Sequence, residues 1–424
     1  MKQPVFLPTE ILLPGPAAAP EKWAVLACDQ FTSQPEYWQQ AEALVGDAPS
    51  TLHIIFPEVY LEQPGGEARI AGIHAAMQKY RHSVLTQAVN GFVYVERTTP
   101  SGTRCGLVGC VDLEDYSYEA GAAPRIRPSE GTLVERIPPR LAVRRGGALE
   151  CPHILMLADD AACTVIEPIG EKKAALAPLY DFTLMLEGGR LQAWAVTDAA
   201  DIAAVQAALA ALEEAPAFAA RYGAAAGAAF ALAVGDGNHS LATAKALWEE
   251  TKQNLTPQQQ ENHPARYCMV ELCNIQSAAI GIEPIHRVVF GPSAEEFRLA
   301  LEDYARQNAV GISADGDQRF TLLYEQYEEE IHLRDAREAL AVGSVDAAIA
   351  WCAQSHPGLR VDYVHGEDAV RQLAAGGAVG LLLPPFEKSD LFRGVALGGV
   401  LPRKTFSMGH ATEKRYYMEC RAIL

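Results

Sequence analysis

The stretch Ala231-Leu232-Ala233-Val234-Gly235-Asp236-Gly237-Asn238-His239-Ser240 decides how this chain reads. Its apolar half, from Phe230 to Val234, has the pattern of a buried strand, and the residues from about Ser240 to Lys252 have that of a helix. A strand that runs through glycines into a helix start gathers unpaired N–H groups at the positive end of the helix dipole. That is a natural cradle for phosphate. Gly235 and Gly237 permit close approach and positive φ. Asp236 is suited to hold Mg²⁺ or accept a proton, and Asn238, His239 and Ser240 can each donate to phosphate oxygens. A plain capped turn accounts for the Asp and the glycines but not for the added histidine. In the helix that follows, Leu241, Ala244 and Trp248 share one face, and Lys245 falls in the same stripe. Such a lysine either snorkels to water or points back at a bound phosphate.

Upstream, six arginines crowd about twenty residues: Arg125, Arg127, Arg136, Arg140, Arg144 and Arg145. Arg suits bidentate capture of phosphate or carboxylate. Among them Glu130, set between Ser129, Gly131 and Thr132, is placed as a general base. The alternative is a solvated loop with surface ion pairs. Three lesser groups are Cys28 to Gln34 after the apolar run Trp23 to Ala27, His286-Arg287 after Pro284, and Arg403-Lys404 within Pro402 to Ser407. The other histidines, His153 among them, read as surface or satisfied core residues. No H-E-x-x-H, Walker A, G-x-S-x-G or G-x-G-x-x-G pattern is present.

Composition bounds these readings. The chain has 424 residues, 49% of them hydrophobic, and a formal net charge of -18. That length implies two packed lobes and a folded globular protein. The acidic balance disfavours nucleic acid as a partner and fits a small-molecule substrate. Nine cysteines, an odd number with no C-x-x-C, fit the reduced thiols of a cytoplasmic protein. Cys28 is the one to watch as a nucleophile. Met1 to Pro20 does not read as a signal peptide, and no run reaches the ~20 apolar residues of a membrane span. The Ala-rich part between Ala199 and Ala233 is broken by Glu213, Glu214, Pro216, Arg221 and Gly223.

The remaining pattern predicts a helix from Glu67 to Asn90 and strands at Gly91 to Arg97 and Arg104 to Leu113. It also predicts a strand at Pro152 to Leu157, a hairpin within Thr183 to Val196, and two Ala-rich helices near Ala199 to Glu213 and Ala215 to Ala228. Thr256 to Gln260 reads as a linker, followed by strands at Met269 to Asn274 and Ala278 to Ile282. Beyond them lie a helix from Glu295 to Gln307 and a hairpin within Phe320 to Leu333. A composition shift near Pro292 separates a catalytic lobe, 1–291, from a C-terminal α/β lobe, 292–424, expected to close on the site. The fold class is mixed α/β.

Four motifs in order resemble those of the domain-of-unknown-function 1015 family: Arg127 to Thr132, Asp236 to Ser240, Pro284 to Arg287 and Leu401 to Thr405. The Asp-Gly-x-His core is also similar to the phosphate-binding loop of the ParB/sulfiredoxin superfamily, which includes free-serine kinases. The resemblance implies a ParB/sulfiredoxin-like core in a larger two-lobed protein. It implies a kinase that moves a phosphoryl group from ATP, ADP or pyrophosphate, with Mg²⁺, to a free hydroxyl metabolite, L-serine first. Asp236, Asn238 and His239 would then hold the donor, Glu130 would be the base, and Thr132, Gly237, His286, Arg287, Arg403 and Lys404 would complete the binding set. Ser240 stands where the superfamily loop has Arg, so its charge would have to come from Lys245, Arg127 or Arg287. The alternatives are a nucleotide-binding switch acting through a homodimer, and a metal-assisted phosphoester hydrolase using Asp236 and His239.

Overall fold

Continuous apolar runs such as Phe92 to Val95 are what a strand buried on both faces requires, and successive side chains there do point to opposite layers. A computed structural model describes residues 3–61, 63–119, 121–223 and 227–424. It is a mixed α/β protein of two compact units.

The first unit comprises Met1–Gly281, Val395–Gly399 and Gly409–Leu424. Its mixed sheet runs in the order 126–127, 232–236, 155–158, 267–274, 102–112, 87–99, 190–196, 177–183, with Phe6–Leu7 and Thr9–Leu13 joining alongside. Val93, Val95, Val108 and Met269 face a layer built from Trp23, Trp38, Ile73, Met77 and Tyr417. Phe92, Tyr94, Leu107 and Leu272 face the other, where Leu241, Ala244 and Trp248 of the helix Asn238–Lys252 pack. The apolar stripe read from the sequence is therefore the stripe that seats this helix.

The second unit, Ile282–Gly394 with Val400–Met408, has its own sheet in the order 311–312, 327–334, 318–324, 379–382, 282–290, 360–365, with Phe406–Met408 also pairing Ile282–Phe290. The helices Ala294–Gln307 and Ala341–Ser355 cover one apolar layer, and Glu367–Ala375 contributes Val370 and Ala374 to another. This division differs from the expected 1–291 and 292–424. The strand Ile282–Phe290 already belongs to the second sheet, and the chain returns to the first unit after Met408. The second unit is thus an insertion.

Several predicted elements shift. The expected helix from Glu67 to Asn90 is Gly66–Ser83, and Gln87 to Asn90 instead begins the strand Gln87–Thr99. There the pairing of Thr9–Leu13 with Gln87–Gly91 outweighs the helical pattern. Thr256 to Gln260 is no linker. Thr256 and Gln259 form a capping box that starts the helix Pro257–Asn262. The expected strand from Ala278 to Ile282 is turn and irregular chain up to Gly281, and pairing starts at Ile282. Among the described residues no single helix is long and apolar enough to cross a membrane.

Candidate functional site

The strand Leu232–Asp236 carries a bulge between Val234 and Asp236 where it pairs with Leu155–Ala158, and Gly235 sits at that irregularity. Gly237 follows with φ +82°, and a Cβ there would lie 3.1 Å from the Ile154 Cα. A glycine is required at this position for both reasons. The helix then starts at Asn238, two residues earlier than predicted, and its first recurring bond is Leu241 N–H to Gly237 O at 3.0 Å. The first-turn amides of Asn238, His239 and Ser240 precede that bond, so they carry the positive end of the helix.

The side chains of this turn tie the upstream loop to it. Asn238 Oδ1 accepts the Ser129 N–H at 3.3 Å, and its Nδ2 donates to Ser129 Oγ at 3.2 Å. Both residues are buried. His239 Nε2 accepts the Leu133 N–H at 3.3 Å. Glu130 and Thr132, both half-buried, lie between these two anchor points. Two motifs a hundred residues apart in sequence are therefore one structural unit.

The Asp236 carboxylate is engaged on both oxygens. Oδ1 accepts the Gly237 N–H at 3.0 Å, and Oδ2 pairs with Lys414 Nζ at 3.1 Å. An Mg²⁺ ligand was expected here. Lys414 already neutralises this carboxylate, and among the described residues no group of three or more His, Cys, Asp or Glu side chains is placed to hold a metal ion. The residues present do not fit a protein-held metal at Asp236.

The expected sources of the missing positive charge are committed elsewhere. Lys245 donates to Leu113 O at 2.9 Å and pairs with Glu249 at 2.7 Å on its own helix, so it does not turn back to the loop. Arg127 is buried, donates to the carbonyls of Pro124, Ala228 and Val395, and lies 4.5 Å over the Phe230 ring. Most of the arginine cluster is likewise paired: Arg125 with Asp115 and Glu213, Arg140 with Glu58, Arg144 with Glu150, Arg145 with Glu250. In the second unit, Arg287 is fully buried against Asp346 at 2.8 Å and also donates to the carbonyls of Ile285, Arg403 and Lys404. His286 Nδ1 accepts the Leu383 N–H at 3.0 Å, and Arg403 lies 5.9 Å over the Tyr363 ring. Lys404 adopts φ +55°.

Ser240 opens onto a group that the sequence singled out only at Cys28 and Asp29. Its Oγ lies 3.0 Å from His153 Nε2, and His153 Nδ1 lies 2.6 Å from the Tyr417 hydroxyl. That hydroxyl accepts the Cys28 N–H at 3.2 Å, while Asp29 Oδ2 stands 3.7 Å from His153 Nε2. Burial would raise the Asp29 carboxyl, but His153, Gln30 and Lys414 hold it below the usual range. Burial, reinforced by Asp29 and Glu58, pushes the Cys28 thiol upward. That direction disfavours the thiolate a nucleophilic Cys28 would need. His153, read as a surface or core histidine, and Lys414 and Tyr417, which carried no motif, are the members that sequence reasoning missed. The only available signal was the density of charged and aromatic residues in Lys414-Arg415-Tyr416-Tyr417.

The family described as "Protein of unknown function (DUF1015)" has a model that matches residues 12–348. Among solved structures, the chain is similar to a free serine kinase in complex with AMP, with a TM-score of 0.37 and 9% identity over 73% of this chain and 90% of that one. It is similar to SbnI from Staphylococcus aureus, with a TM-score of 0.35 and 11% identity over 71% and 82%. A conserved hypothetical protein from Pyrococcus furiosus gives 0.34 and 9% over 74% and 94%. No curated protein matches the chain.

Proposed function

The chain belongs to the DUF1015 family, and we propose that it is a phosphotransferase that delivers a phosphoryl group to the hydroxyl of a small molecule. The observation that carries this reading is the Gly237 turn: three first-turn amides, with Lys414 beside Asp236 and the Ser129–Leu133 loop pinned across by Asn238 and His239. Phosphoryl transfer asks mainly for positioning and charge neutralisation. Backbone amides supply the positioning without an arginine in the loop, and Lys414, held at the turn by Asp236, is the cation nearest to it.

In the transfer, the acceptor oxygen forms a bond to the terminal phosphorus as the bridging P–O bond of the donor breaks. The acceptor proton passes to a base, for which Glu130 in the pinned loop is our candidate. The donor is ATP, ADP or pyrophosphate, and L-serine is the first acceptor to assay. Mg²⁺ would travel with the donor phosphates, since Asp236 is already paired. The same engagement of Asp236 and His239 argues against a hydrolase built on that pair.

The test is incubation of the purified chain with each donor and, in separate reactions, L-serine and an uncharged alcohol or phenol, followed by mass spectrometry. O-phosphoserine formed with one donor supports the reading and identifies that donor. Phosphate release without a phosphorylated acceptor, or nucleotide binding with no turnover, overturns it in favour of a hydrolase or a binding switch.

A further inference from the structure

Behind Ser240 the first unit contains a recess of about 140 Å³. Its walls are mostly apolar, with Ile54, Phe56, Met77, Val143, Ile154 and Met269 in the lining. Each charged side chain in the lining other than His153 already has a partner: Arg140 with Glu58, and Arg144 with Glu150, which also holds Arg421 from outside the lining. Its polar end is the Ser240 hydroxyl beside His153, on the first turn of the helix that starts at Asn238.

We infer that this recess binds a neutral, compact molecule with an apolar body and a single hydroxyl directed at Ser240 and His153. The inference rests on the phosphotransferase reading only in making that molecule the acceptor. Size follows from volume. An apolar cavity of about 150 Å³ holds one benzene-sized molecule, so this recess accommodates roughly six to eight non-hydrogen atoms. Charge follows from the pairing. A zwitterion buried here would bring an ammonium and a carboxylate to walls whose own charges are already matched, and unpaired buried charge is strongly unfavourable. An alcohol or phenol meets no such cost. Its hydroxyl can join the Ser240–His153 pair while its body covers the Ile, Val and Met walls. L-serine, by the same reasoning, suits the recess poorly.

The probes are phenol, benzene and L-serine, with binding to the full chain followed by ligand-observed NMR and thermal shift. Phenol and benzene are expected to bind saturably, with L-serine at least tenfold weaker. Val143→Phe and Leu61→Phe each enlarge a side chain of the lining and so fill the recess. Each should weaken phenol at least tenfold while leaving melting within a few degrees, and the second variant serves if the first does not fold. Ser240→Ala should weaken phenol about fivefold, the worth of one neutral hydrogen bond, and leave benzene unchanged. Phenol affinity unmoved by both filling variants, or L-serine binding as tightly as phenol, overturns the inference. Phenol binding with no donor turned over would sink the phosphotransferase reading alone. Serine phosphorylated by a chain that does not bind phenol would sink this inference alone.

Discussion

Lys414 sets a positive charge 3.1 Å from Asp236, and the proposed chemistry of the turn rests on that pair. Lys414→Met is expected to weaken donor binding at least tenfold, whereas Lys414→Arg keeps the charge and part of the affinity; donor titration distinguishes them. Asp236→Asn or His239→Ala should lower kcat/KM for the donor by about a hundredfold or more in a chain that still folds and melts cooperatively. Full activity in either folded variant would refute the turn as the donor site. Glu130→Gln should lower kcat by about 10² to 10⁴ while the donor affinity holds, the split expected of a base. Equal losses in both would make Glu130 a loop-positioning residue. At this scale the sequence was partly legible. Asp236, Gly237, Asn238 and His239 announce themselves because glycine, amide and imidazole cluster within one turn. Lys414 and His153 do not, because a side chain brought in from a distant strand or loop leaves no local periodicity.

The helix Asn238–Lys252 and the loop from Arg127 to Leu133 behave as one element, joined by the buried Asn238–Ser129 pair. Asn238→Ala would leave the Ser129 amide and hydroxyl buried without these partners, an expected cost of about 1–3 kcal/mol by urea titration. Gly237→Ala combines φ +82° with a Cβ 3.1 Å from backbone at Ile154, so it should cost about 1–2 kcal/mol or more by the same measurement. If Gly237→Ala left stability unchanged, the tight turn would be wrong. The elements were readable where period and caps agree, as in the helix from Glu295 to Gln307, found at Ala294–Gln307 with a Ser293–Glu296 capping box. They were misread where pairing decides. Nothing local in Gln87 to Asn90 tells of the strand Thr9–Leu13 lying beside it. The arginine cluster misled for a related reason: its carboxylate partners at Glu58, Glu150, Glu213 and Glu250 are far away in sequence.

Across the first unit, residues of the last segment complete the core as well as the site. Glu271 lies buried between Arg104 at 3.3 Å and Arg415 at 2.7 Å, and Arg415 also holds Glu419 at 2.6 Å. Arg421 pairs with Glu150 at 2.7 Å. Burial alone would raise the Glu271 carboxyl, but the two guanidiniums hold it at about 2, below its ordinary 4.5. A depressed folded-state value means that this contribution is complete above about pH 4.5 and is lost as pH falls toward 2. Urea midpoints measured between pH 7 and pH 3 should therefore fall, and Glu271→Gln should flatten that fall while costing about 3–5 kcal/mol at pH 7. An unchanged acid slope in the variant would assign the acid sensitivity elsewhere. Two lobes were legible from length alone; the insertion was not, because composition does not record where a chain goes back. That return has a consequence for synthesis. A ribosome delivers residues 1–281 first, then an entire second unit, and only afterwards the Lys414, Arg415, Tyr417 and Arg421 on which the first depends. Folding that proceeds in the order of translation leaves Glu271 without Arg415 and Glu150 without Arg421, so the first unit completes these buried ion pairs only after the second unit has been made.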